Sequence, residues 1–70
     1  MTKREVYELE PGQVLLVKFE DESHLMKGIL LEKVFRQKSF LNTRVFLEDN
    51  TMQRVNQNQI QSVYGKINWT

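Results

Sequence analysis

Between residues 13 and 19 apolar side chains recur at every second position, as Leu15, Val17 and Phe19, in a segment rich in β-formers. A period of two puts these three on one face of an extended chain, so the segment predicts a strand. Pro11 and Gly12 just before it signal a turn, because proline presets one backbone angle and glycine accepts the positive one that follows. Residues 20–23 are a polar, charged break. Residues 25–36 are richer in apolar side chains, and here helix and strand compete: Leu30 with Val34, and Leu31 with Phe35, also satisfy a spacing of four. Gly28 weakens either element, but it is the residue expected where a strand bends sharply in a small barrel. The neighbouring segments decide for strand.

Further along, residues 38–43, with Ser39 and Asn42, read as a loop, and residues 44–48 alternate cleanly as a strand. Asp49 and Asn50 make a tight turn into residues 52–55, which is a hairpin pattern. Residues 56–59 are too polar for a core strand and predict a single helical turn capped by Asn56. Ile60, Val63 and Ile67 are the apolar positions of the tail. Five short strands joined by tight turns predict an all-β chain, either a small barrel or a rolled sheet. The expected organisation is one small domain, with residues 1–10 as an N-terminal arm or extra strand and 11–70 as the barrel.

This order of elements resembles the Tudor-like class of SH3-like barrels. Gly12 followed by Leu15, Val17 and Phe19 matches the opening of such a domain, and Glu20, Asp21 and Glu22 match its acidic turn. Gly28 stands where the second strand folds over, residues 44–48 and 51–55 match the third and fourth strands, and residues 56–59 match the single-turn helix before a short last strand containing Ile60 and Val63. The resemblance covers about three quarters of the chain, from Pro11 to Val63, and is one of pattern. It implies a five-stranded SH3-like barrel with a single-turn helix before the last strand. Relatives of that barrel bind nucleic acid or protein segments, or help to assemble larger machines. The aromatic cage with which some Tudor domains hold methylated cations does not carry over. Its positions fall near Phe19, Leu25, Leu47 and Asn50, and one ring cannot enclose a methyl-ammonium group.

Composition narrows the function. The chain has 70 residues and no cysteine. At this length folding buries only roughly 60% of the surface the unfolded chain exposes, and without disulfides or a structural zinc set, apolar packing must carry stability. The hydrophobic share of 40% is too high for a disordered chain. The longest apolar run, Val14 to Val17, is far short of a membrane span, and residues 1–5 lead into no signal-peptide core. A cytoplasmic location and no membrane partner are therefore expected. Catalysis is not expected: the sole histidine, His24, sits in a polar stretch with no identifiable nucleophile to activate. Glu20, Asp21, Glu22 and His24 lack the Gly-punctuated spacing of a calcium loop, and Gly12, Gly28 and Gly65 are too isolated to cradle a phosphate. No metal and no cofactor are expected.

The net charge of +1 hides an uneven distribution. Residues 1–26 carry −3 and residues 27–47 carry +4. Within the basic third, Lys33, Arg36, Lys38 and Arg44 are interleaved with Phe40 and Phe46. Should Val45 and Leu47 face the core, Arg44 and Phe46 face away from it. Cations among exposed rings neutralise phosphates and stack bases, so these six residues form the candidate surface for single-stranded nucleic acid or RNA. In the packing alternative, Phe40 and Leu41 fold back over an open barrel end and Phe46 packs against the tail. A second function is a protein–protein module acting through a sheet edge and the aromatics Tyr64 and Trp69, as an accessory subunit of a larger assembly or a homo-oligomer. There too a packing alternative exists, with both rings closing the barrel bottom.

Overall fold

The computed structural model describes residues 1–19 and 25–66. A short helix, α1 (Lys3–Glu8), precedes five strands: β1 (Gln13–Lys18), β2 (Leu25–Arg36), β3 (Ser39–Leu47), β4 (Met52–Val55) and β5 (Ile60–Lys66). A 3-10 turn, Gln57–Gln59, links β4 to β5. All pairings are antiparallel, and the five strands form one sheet in the order β4-β3-β2-β1-β5. The sheet is not closed: β4 and β5 are its two edges.

Curvature comes from β2. Its first half pairs with β1, from Leu25 opposite Lys18 to Ile29 opposite Val14, and its register with β3 runs from Gly28 to Arg36. Gly28 therefore lies between two partner strands. A Cβ there would come within 2.9 Å of Leu47 Cδ2 and 3.3 Å of the Val45 Cβ, so the absence of a side chain lets β3 approach closely. A bulge between Leu30 and Glu32 bends the strand further and resets its alternation.

Strand alternation builds the core. Leu15 and Val17, Met26 and Leu30, Val45 and Leu47, then Val55 and Ile60 are buried on one side of the bent sheet, and Val6 and Leu9 close that core from the N-terminal segment. Thr43, fully buried at 0% exposure, continues the inward row of β3, and its Oγ1 has no hydrogen-bond partner among the described residues.

Two expectations need correction. Residues 38–43 are not a loop. Ser39 opens a nine-residue strand, and the connection shrinks to Gln37 and Lys38, with φ of 52° and 68°. Two consecutive positive φ values match the hairpin turn whose twist suits its flanking strands, ordinarily advertised by Asn-Gly. Gln-Lys carries no such signal, and each non-glycine residue held there costs about 1 kcal/mol. Nor are residues 1–10 an arm or an extra strand; they carry α1. Thr2 Oγ1 accepts a hydrogen bond from the Glu5 backbone N–H at 3.2 Å, and Glu5 Oε1 accepts one from the Thr2 N–H at 2.9 Å. This reciprocal cap offsets part of the cost of nucleating so short a helix, and burial of Val6 supplies the rest.

Candidate nucleic-acid interface

The residues expected to form one basic surface occupy two places. Lys33, Arg36, Lys38 and Phe40 lie on the distal part of the β2–β3 hairpin, which leans on α1. Phe35 stacks on Tyr7 with ring centroids 5.6 Å apart, and Phe40 meets Phe35 edge-on at 6.0 Å. The Phe40 N–H donates to Tyr7 Oη at 3.3 Å, and Lys33 Nζ donates to the Tyr7 carbonyl at 2.6 Å, where a cation complements the helix C-terminus. Phe40 also packs against the core. Two of the four residues thus brace the hairpin, while Arg36 and the turn residue Lys38 stand exposed at its tip.

Arg44 and Phe46 lie instead on the outer face of the sheet, opposite in direction to buried Val45 and Leu47. Register places Phe46 between Ile29 on β2 and Met52 on β4, with Val14 beyond Ile29. An apolar row thus crosses four strands on the side away from the core. Phe46 is 38% exposed and Met52 53%. Arg44 Nη1 forms an ion pair with Glu32 at 2.9 Å, and its other guanidinium nitrogen rests on the Met52 sulfur at 2.8 Å. Arg54, exposed, lies in register with Arg44 on the neighbouring strand.

At the other edge of the same face stands Tyr64, 61% exposed, with Lys27 Nζ 4.3 Å from its ring centroid. Lys27 pairs in register with Leu16, which fixes it on the outer side. Tyr64 accordingly does not close the barrel bottom, while Trp69 lies outside the described residues, as do Glu20, Asp21, Glu22 and His24. Glu5, Glu8 and Glu10 are engaged elsewhere, in the α1 cap, with Arg4 at 3.6 Å and with Lys66 at 3.5 Å. Hydrogen bonds from the Thr2 backbone and side chain hold the Glu5 carboxyl below its ordinary range, so it stays ionised within its own cap.

The outer face therefore groups Phe46 and Tyr64 with Lys27, Arg44 and Arg54. Lys27 and Arg54 escaped the sequence reading because neither lies in the segment where cations and rings are contiguous. The signal that finds them is strand alternation carried across the register. A strip of rings and aliphatics, edged by three cations, can stack planar groups and hold phosphates. No protein-family model, curated protein or solved structure matches the chain.

Proposed function

We propose that the chain is a non-catalytic binding module that holds single-stranded nucleic acid, DNA or RNA, across the outer face of an SH3-like roll, working in the cytoplasm. The SH3-like reading draws support from the strand order: four strands meander, and after a 3-10 turn the fifth returns to pair with the first. The observation that carries the functional reading is the outward placement of Phe46 and Tyr64 on the face that also bears Lys27, Arg44 and Arg54. Base–aromatic stacking is worth about 1–3 kcal/mol per base, and phosphates held by the cations add a salt-dependent part. Arg36 and Lys38 at the hairpin tip extend the basic surface along a longer strand.

Fluorescence anisotropy of a labelled single strand of about 12 nucleotides, a length one small barrel spans, tests this directly. Binding at low salt should weaken steeply as salt rises, and Phe46→Ala should weaken it about tenfold. No binding at low salt, or binding indifferent to both Phe46→Ala and Arg54→Ala, would sink the reading.

A second reading has its own observation. Both β4 and β5 are sheet edges, and β5 carries exposed Val63 and Tyr64, so a strand from another protein or a second copy can add to the sheet. That mode depends weakly on salt and is insensitive to Arg54→Ala.

A further inference from the structure

A cleft of about 530 Å³ opens where the end of β1 meets β4, the 3-10 turn and β5. Its size falls within the range of small-molecule sites, about 300–1,000 Å³. Phe19 and Leu47 supply an apolar wall, while Gln53, Gln59 and Gln61 bring carboxamides from β4, the turn and β5. Two of these amides are already fixed. Gln59 Oε1 accepts from the Asn56 N–H at 3.0 Å, and Gln61 Nε2 donates to the Asn58 carbonyl at 3.2 Å. That leaves the NH₂ of Gln59 and the side-chain carbonyl of Gln61, both on residues lining the cleft, without a partner among the described residues. Side chains held by their own hydrogen bonds lose less freedom when a ligand binds.

A fixed donor together with a fixed acceptor complements a planar group whose edge carries an acceptor beside a donor, which is the edge of a nucleobase. Phe19 supplies a ring on which that base can stack. A metal cation fits poorly, because Asp49 is the sole carboxylate among the described residues lining the cleft, and its Oδ1 already accepts from the Thr51 N–H and hydroxyl at 3.1 and 2.6 Å. Lys18 lines the cleft and lies in register with Leu25 on the outer face, which places a phosphate partner where the two surfaces meet.

We infer that this cleft takes one base of a bound nucleotide, with the adjoining phosphate at Lys18. The inference rests on the nucleic-acid reading of the outer face and adds a base-reading pocket to it.

Titrating the full chain with each of the four nucleoside 5′-monophosphates, followed by backbone and side-chain amide NMR, tests it. Saturable shifts should centre on Gln53, Gln59, Gln61 and Phe19, with one base bound about tenfold tighter than the weakest. Ribose 5-phosphate should move only the surroundings of Lys18. Gln61→Leu should weaken the preferred nucleotide about tenfold; because it also removes a turn hydrogen bond, Gln53→Leu serves as the second variant and should weaken it about fivefold. The inference is overturned if nucleotides bind no better than ribose 5-phosphate, if shifts centre on Phe46 and Tyr64, or if N-acetylglycine N-methylamide saturates the same amides more tightly. Oligonucleotide binding lost on Phe46→Ala, with no mononucleotide in the cleft, rejects the pocket and leaves the outer face standing. Failure of both probes rejects the two together.

Discussion

Arg44 and Arg54 lie directly opposite each other across β3 and β4, two cations side by side on the outer face of the sheet. Like charges in this arrangement destabilise a sheet, and Glu32 forms its 2.9 Å ion pair with Arg44. A phosphate seated over the pair would relieve the repulsion. Arg54→Thr is therefore expected to leave the fold as stable as before or slightly more so, while weakening oligonucleotide binding. The slope of log affinity against log salt should fall by about one unit if Arg54 holds one phosphate. An unchanged slope would remove Arg54 from the contact.

Thr43 offers a test of the core. Its hydroxyl is fully buried and without a partner among the described residues, whereas its β-branched shape suits the inward row of β3. Replacing an unsatisfied hydroxyl by an apolar group of the same shape removes a desolvation cost, so Thr43→Val should stabilise the fold by about 1 kcal/mol. In a chain of this size that corresponds to a rise in melting temperature of about 4–8 °C. A fall in melting temperature would mean that the hydroxyl is satisfied in solution.

Gly28 is expected to tolerate almost nothing. With Leu47 Cδ2 at 2.9 Å and the Val45 Cβ at 3.3 Å from a built Cβ, Gly28→Ala should cost about 1–3 kcal/mol through overpacking between β2 and β3. Gly65, with nothing within 4 Å of its own Cβ position, is the control, and Gly65→Ala should be nearly neutral in urea denaturation. Equal costs at the two positions would show that the close approach is not what holds Gly28.

Two carboxylates among the described residues are held below their ordinary values by local hydrogen bonds. Asp49 is held below its ordinary value by the Thr51 hydroxyl and then by the Thr51 backbone, as Glu5 is by Thr2. A carboxyl group whose value is lower folded than unfolded contributes stability above its unfolded value, and that contribution is lost as pH falls through the folded one. Stability should therefore decline in acid, starting at the ordinary carboxylate range. Asp49→Asn combined with Glu5→Gln should flatten the decline in a pH series of denaturant midpoints. An unaltered series would place the acid-sensitive groups elsewhere.

Much of this fold is legible in the order of side chains. The alternation of Leu15 with Val17, and of Val45 with Leu47, needs only the two-residue repeat of an extended chain, which is local geometry. Asp49-Asn50 marks its turn by residue type, and Asn50 indeed has a φ of 68°. Residues 25–36 satisfied helical spacing as well, and the strand prevailed because partners on both sides pair with their backbone. The helix at the N-terminus was equally written locally, as Thr2 and Glu5 three positions apart ahead of Val6, but six residues carry too little amphipathic periodicity to declare it.

What sequence could not decide is which exposed groups share a surface. Lys33, Arg36, Lys38, Phe40, Arg44 and Phe46 are neighbours along the chain, yet α1 draws Lys33 and Phe40 to one side, while alternation sends Arg44 and Phe46 to the other face. Lys27, Arg54 and Tyr64 join that face from three other strands through cross-strand register. Periodicity along one strand fixes the side on which a residue points, because the backbone repeat is intrinsic. Which residues stand beside it depends on pairing between distant segments, which is settled only when burial of the common core selects a single register.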